Sequence, residues 1–259
     1  MSKLVEGICP IISNEEVGPR LFLMRLDAPH CAQSIEPGQF IHVSVPGIEG
    51  HVLRRPFSVY DTDGKSIISI LYQVVGFGTD RMTELVPGDR MSVIGAIGHG
   101  WIVPNDAHRV LLVGGGVGSA PLFLLARKLK EQHIDTDVVI GAQTLDALVT
   151  YEDFRNVIEH APIACTDDGS FGVSGFCTIP VQRLLGTTSY DMVFCCGPEP
   201  LMHAVSDQCR DAQIPCQISM EKRMACGIGA CLSCVVDTIH GKRRACVDGP
   251  VFKSEEVVW

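Results

Sequence analysis

No apolar run in this sequence approaches the ~20 residues that a bilayer-crossing helix needs, so no membrane span is expected. Met1 to Pro10 holds one lysine and only two or three apolar residues in a row, too short for the apolar region of a secretory leader. The cytoplasm is therefore the expected compartment. Long basic blocks are missing too, and the formal net charge is −9, which argues against nucleic acid, whose phosphates are met by clustered lysine and arginine. There is no internal repeat and no low-complexity segment.

What is present is globular: 46% hydrophobic residues, only 20% charged, and 26 glycines that imply many turns or close approaches of backbone to ligand. A chain of 259 residues exceeds the usual single domain of ~100–200, so two domains and a small appendage are expected. Residues 1–100 carry short β-rich runs, among them 21–26, 40–45, 57–60, 67–74 and 91–94, broken by Pro37-Gly38, Asp63-Gly64 and Pro87-Gly88. That spacing predicts an antiparallel β-barrel. Over 101–212 the rhythm changes to buried apolar strands (110–113, 137–141, 163–166, 192–196) alternating with helices near 120–130, 151–160 and 179–185. Such alternation predicts a parallel-sheet α/β domain. From 213 to 259 there is little regular pattern and a crowd of cysteines.

The cytosol keeps thiols reduced, so disulfides do not account for twelve cysteines, and some should bind metal. Eight are scattered as ordinary buried thiols would be. The other four form Cys226-Gly-Ile-Gly-Ala-Cys231-Leu-Ser-Cys234, followed after eleven residues by Cys246. This C-x4-C-x2-C…C spacing is that of plant-type [2Fe-2S] sites, although the last gap is much shorter than in plant ferredoxins. The glycines at 227 and 229 let the loop turn tightly enough for backbone N–H groups to face cluster sulfurs. Structural zinc also takes four cysteines but usually on two separated C-x2-C pairs, and only one is present.

The strand at 108–113 runs into Gly114-Gly115-Gly116-Val117-Gly118-Ser119-Ala120-Pro121 and then a helix, setting bare backbone and a helix N-terminus where a diphosphate could sit. Ser119 stands where the third glycine of a dinucleotide fingerprint would fall, and a tight packing turn meets the same sequence. After the next strand, Gly141 to Asp146 holds no arginine to pair with a 2′-phosphate, which favours NAD over NADP. Cys196-Gly197-Pro198 follows another apolar strand, again at the strand end where α/β sheets bind ligands. Asp168, in Thr166-Asp-Asp-Gly169, reads as a solvated turn.

A barrel with Arg55-Pro56-Phe57-Ser58, followed by Gly115-Gly116-Val117-Gly118-Ser119-Ala120-Pro121 and Cys196-Gly197-Pro198, resembles the ferredoxin reductase superfamily over residues 1 to about 212. Met224-Ala-Cys226-Gly-Ile-Gly-Ala-Cys231 with Asp248-Gly-Pro-Val-Phe252 resembles the electron-transfer subunits of type B dihydroorotate dehydrogenase, over nearly the whole chain.

The resemblance implies FAD on Arg55, Pro56, Phe57 and Ser58, with Arg55 a permanent cation at the pyrophosphate and Phe57 and Ser58 packing on and hydrogen-bonding the isoalloxazine. An ordinary barrel strand with an exposed arginine pair would carry the same residues, and Arg54 fits either reading. The resemblance adds Ile70, Leu71 and Tyr72 along the flavin, and Gly78-Thr79 opening a helix at 80–85 toward the diphosphate. Tyr72 would serve equally as barrel packing. Gly115, Gly116, Gly118, Gly197 and Pro198 would hold NAD, with Cys196 helping to place nicotinamide C4 for hydride exchange with flavin N5; no acid or base is required.

The same resemblance implies a partner, an FMN-containing catalytic subunit that oxidises dihydroorotate in pyrimidine biosynthesis, in a heterotetramer of two of each. Electrons would pass singly through [2Fe-2S] to FAD and on to NAD+. Two other readings stay open. One is a NAD(P)H-dependent reductase subunit serving an oxygenase, a sulfur compound or ferredoxin; the other is a zinc-stapled nucleotide-binding regulator.

Overall fold

The structure is a computed structural model that describes residues 4–48 and 50–259. Its first half is a seven-stranded antiparallel sheet of β1 (Val5–Gly18), β2 (Leu21–Asp27), β3 (Phe40–Ser44), β4 (Arg55–Ser58), β5 (Asp61–Thr62), β6 (Ile67–Gln73) and β7 (Arg90–Ile97), in the order β4-β3-β7-β1-β2-β6-β5. The sheet curls so that β4 lies against β6. Alternation along the strands fills the interior: Met24 and Leu26, Ile41 and Val43, Ile68, Ile70 and Tyr72, and Met91 and Val93 share one buried core. Two short helices join strands, α1 (Pro29–Ala32) and α2 (Phe77–Thr83). The latter begins three residues before the expected start at 80, because the Thr79 hydroxyl accepts from Val75 N at 2.9 Å and Gly76 N at 3.2 Å and so closes the first turn early.

The second sheet contains β8 (Arg109–Gly115), β9 (Asp135–Ala142), β10 (Ile163–Thr166), β11 (Val173–Ser174), β12 (Met192–Cys196) and β13 (Cys216–Ser219), all parallel. Its helices are α3 (Ala120–Glu131), α4 (Tyr151–Ile158), α5 (Thr178–Thr187) and α6 (Glu199–Asp211). A β14–β15 hairpin (Val235–Thr238 and Gly241–Arg244) follows, and β16 (Val251–Lys253) returns to pair antiparallel with β13. The order is β11-β10-β9-β8-β12-β13-β16. From β8 the chain winds outward one way through β9 and β10, then crosses to β12 on the other side. In an open parallel sheet that reversal opens a crevice at the strands' C-terminal ends, here after Gly115 and after Cys196.

Trp101 wedges the halves together: it is buried, its Nε1 donates to Pro121 O at 3.0 Å, and its ring meets Phe194 edge-on at 5.6 Å. Tyr60 stacks on Phe123 at 4.6 Å and donates to the Asp153 carboxylate, while Arg127 pairs with Asp61. Phe40 and Ile97, on the outer face of the barrel, join one core with Met224, Cys234 and Cys246 of the C-terminal segment. Among the described residues no helix is long and apolar enough to cross a membrane.

Candidate flavin, nicotinamide and iron–sulfur sites

β4 is an edge strand, which tolerates Pro56 because no ladder N–H is needed on its free side. Arg54 is consumed internally: its guanidinium donates to Glu6 Oε1 at 2.5 Å, to Ser92 O at 3.0 Å and to Ser92 Oγ at 2.8 Å. Arg55 is not. Its Nη1 is buried with no hydrogen-bond partner among the described residues, and its guanidinium lies so close over Gly78 that a Cβ there would stand 2.6 Å from Nε. A buried guanidinium nitrogen left unpaired carries a substantial desolvation penalty, which a diphosphate oxygen would relieve. The donor set therefore fits the phosphates of FAD. Phe57 and Ser58 are half-buried, Phe57 meeting Tyr72 edge-on at 5.9 Å.

The β6 residues divide between two faces. Ile70 and Tyr72 turn into the barrel core, where the Tyr72 hydroxyl donates to Asn14 Oδ1 at 3.0 Å and burial pushes its pKa up to about 12. Leu71 points the other way, into the seam with Tyr60 and Phe123. The Ile70 and Tyr72 side chains are spent on packing, so what they can offer a cofactor is their backbone. Thr79 is likewise spent on its own turn.

At the sheet reversal the two glycine motifs meet. A Cβ on Gly118 would stand 2.6 Å from Gly197 Cα and 2.7 Å from Gly197 N, and one on Gly115 would reach Leu201 Cδ2 at 2.6 Å and Pro198 Cδ at 3.0 Å. These glycines exist for loop-on-loop packing. Gly116 differs: at φ +56 it faces open space with nothing within 4 Å, bare backbone at the head of α3. Cys196 is buried beneath them, its Sγ donating to Ser219 O at 3.7 Å; burial, and then the nearby Glu221 carboxylate, push its thiol well above the usual range. It is a neutral, compact wall, suited to placing a ring rather than attacking one. Asp168 Oδ1 accepts from Ser170 N at 3.0 Å and Ser170 Oγ at 2.7 Å, closing an exposed turn.

In the C-terminal segment the Cys226 thiol lies beside that of Cys231, and the Cys246 thiol beside that of Cys234. Burial acts to raise Cys226, but the N–H groups of Ile228, Cys231 and Ala230 and the neighbouring thiol outweigh it and bring the pKa down to about 7. Burial, then the Cys234 thiol, push Cys246 up to about 12. Among the described residues no three His, Cys, Asp or Glu side chains gather as one ion site. The four thiols come together as two neighbouring pairs, a donor set that fits the two irons of a [2Fe-2S] cluster. The loop is held by Arg244, which donates to Gly229 O at 3.2 Å and pairs with Asp248 at 3.3 Å. Gly227 (φ +69) rides against His42 of β3, its would-be Cβ 2.5 Å from His42 Nδ1. Sequence reading missed His42, although a histidine amid the apolar run of β3 is a visible signal.

A curled antiparallel sheet with Arg55 of its edge strand lying over Gly78, joined to a parallel sheet whose glycine loops meet at its reversal, defines a ferredoxin reductase-type flavoprotein fold. A ferredoxin NADP+ reductase from Neisseria gonorrhoeae solved with bound FAD and NADP shares it, with a TM-score of 0.66 over 82% of this chain and 92% of that one at 16% identity. Residues 221–258 match the profile of the iron-sulfur cluster binding domain of dihydroorotate dehydrogenase B. The electron transfer subunit of dihydroorotate dehydrogenase B (NAD(+)) from Desulforamulus reducens is 35% identical over 266 residues, covering 100% of both chains. That of Clostridium acetobutylicum is 40% identical over 224 residues, covering 86% of this chain and 87% of its own. A structure of the NADH-dependent reduced ferredoxin-NADP oxidoreductase, described for flavin-based electron bifurcation, superposes with a TM-score of 0.89 at 30% identity over 98% of this chain and 90% of that one. The chain belongs to the family of electron transfer subunits of dihydroorotate dehydrogenase B (NAD+).

Proposed function

We propose that this chain relays electrons from a partner subunit that oxidises dihydroorotate, through a [2Fe-2S] cluster and FAD, to NAD+. The cluster supplies single-electron transfer, FAD exchange between one- and two-electron steps, and NAD+ the acceptance of hydride. The observation that carries the reading is a shared wall. The ligand loop at Gly227 rests on His42, and His42 is paired in register with Pro56 of the Arg55–Ser58 strand. β3 therefore carries the ligand loop on one of its residues and pairs with the flavin strand β4, the two strands lying one sheet spacing, ~4.8 Å, apart.

Within that frame Arg55 holds the FAD diphosphate, with the Gly78 backbone close against it. Phe57, Ser58 and the backbone of Ile70, Leu71 and Tyr72 bound the ring system. Gly115, Gly116, Gly118, Gly197 and Pro198 form the nicotinamide nucleotide cradle, and Cys196 closes it from below without giving or taking a proton. Cys226 and Cys231 hold one iron, Cys234 and Cys246 the other. The partner carries FMN and the assembly holds two copies of each chain, in the cytoplasm, where the eight cysteines outside the cluster stay reduced.

Mixing decides the matter. Dihydroorotate should drive NAD+ reduction by the chain together with the flavin-containing subunit that co-purifies with it, and by neither alone. Turnover by this chain alone would end the proposed division of labour. A second reading, a subunit of a ferredoxin-linked bifurcating reductase, draws on the structural likeness at 30% identity. It is favoured if the co-purifying subunit is a ferredoxin-dependent reductase without dihydroorotate activity.

A further inference from the structure

His42 is fully buried, yet neither ring nitrogen has a hydrogen-bond partner among the described residues. Its place on β3 explains the burial. Ile41 and Val43 point into the barrel, so His42, between them, points outward beneath the C-terminal segment. The flanking outward residue Phe40 enters the core that includes Met224, Cys234 and Cys246. Gly227 lies on the ring so closely that no side chain could be added there, and the carbonyls of Arg54 and Cys226 stand beside the imidazole. The Arg54 guanidinium donates to His42 O at 3.4 Å, tying the same residue to the start of the flavin strand.

An imidazole in such surroundings has one N–H and one lone pair, and both belong in hydrogen bonds when buried. An aliphatic side chain of similar volume would pack the interface without leaving polar atoms unmet. A ring with unmet nitrogens, set between a ligand turn and a flavin strand, therefore has a use beyond filling space. Hydrogen bonds around the ligands of an iron–sulfur cluster tune its potential and fix its place.

We propose that His42 is a positioning residue of the electron path, seating the ligand loop on the flavin face of the barrel and donating its N–H to the Cys226 carbonyl when the cluster is in place. The inference rests on the function proposed above. Donation to the ligand turn stabilises the more negative, reduced cluster and raises its potential, and the wedge fixes the flavin-to-cluster separation.

The test uses the full chain in complex with its partner, comparing wild type, His42→Leu and His42→Asn, the last placing an amide nitrogen near the position of Nδ1. Readouts are iron and FAD content, the electron paramagnetic resonance spectrum of the reduced cluster, its midpoint potential, and the rate of flavin–cluster transfer. His42→Leu should keep FAD, show a shifted spectrum and a more negative potential, and transfer about tenfold more slowly. His42→Asn should restore spectrum and potential toward wild type. Should His42→Leu lose its iron, retention with a near-native spectrum by His42→Asn supports the proposal, and loss by both overturns it. Unchanged spectrum, potential and rate in His42→Leu, or equal disturbance in the two variants, also overturns it. Wild-type protein without iron refutes the underlying function, and this inference with it.

Discussion

Arg54 and Arg55 are neighbours in sequence with opposite uses. Arg54 ties β4 to Glu6 and Ser92, whereas Arg55 keeps a buried nitrogen without a partner among the described residues. Arg55→Ala should weaken FAD binding ~10- to 100-fold, the loss of a charge-assisted hydrogen bond to phosphate, with little change in apoprotein stability. Arg54→Ala should retain FAD and lower the melting temperature; flavin fluorescence titration beside thermal unfolding separates the two. Gly118→Ala puts a Cβ 2.6 Å from the Gly197 backbone, which cannot yield as a flexible side chain would, so NADH should no longer reduce FAD although FAD stays bound. Gly116→Ala meets open space and bears mainly the ~1–2 kcal/mol of its left-handed conformation. The four cysteines proposed as ligands stand out in the sequence because their spacing is local. The meeting of Gly118 with Gly197, the split roles of the arginine pair and the place of His42 do not, because each depends on what a distant segment brings alongside.

At the scale of elements, strands and helices with strong apolar patterning were readable: β10 and β12 lie where the pattern puts them, and α3 runs one residue past its expected end. β1, the long strand Val5–Gly18, was missed because Gly7, Pro10, Asn14, Glu15 and Glu16 break its alternation, and its formation rests on pairing with both β2 and β7. α6 was missed because Glu199-Pro200 and a polar face hide its apolar stripe of Met202, Val205 and Cys209. Turn chemistry was readable and has a consequence. Asp63 Oδ1 accepts from Lys65, Ser66 and Ile67 N at 2.8–2.9 Å, closing the turn into β6, and these bonds, that from Ile67 foremost, hold its pKa below the ordinary value. A depressed folded pKa stabilises above the unfolded pKa, near 4, and that stability is lost as pH falls through the folded value. Asp63→Ala should therefore melt earlier than wild type at neutral pH, with the difference shrinking below about pH 4 in a thermal-unfolding series.

Across the whole molecule the three expected segments interlock. The parallel sheet runs past the boundary expected at 212 to include β13 and, from the far end of the chain, β16. His99 N donates to Gly249 O at 2.6 Å, so the same tail also touches the barrel. We therefore take the iron–sulfur segment as an insertion between β13 and β16 rather than a tail. Composition shifts marked the barrel and the sheet, but a three-residue strand that joins its sheet only through long-range pairing leaves no pattern to read. Because each sheet has its own strands and core, we expect the proposed flavin and nicotinamide sites to survive loss of iron. Removing iron anaerobically should leave NADH oxidation with a two-electron dye intact and abolish electron exchange with the partner.

The central claim, that this chain is the nicotinamide half of a two-subunit enzyme, is tested most directly by an anaerobic visible spectrum of the purified chain. We expect overlapping flavin and iron–sulfur bands that bleach on addition of NADH and not of dihydroorotate, with dihydroorotate bleaching them once the partner subunit is added. A colourless, zinc-containing protein, or bleaching by dihydroorotate with no partner present, would contradict it.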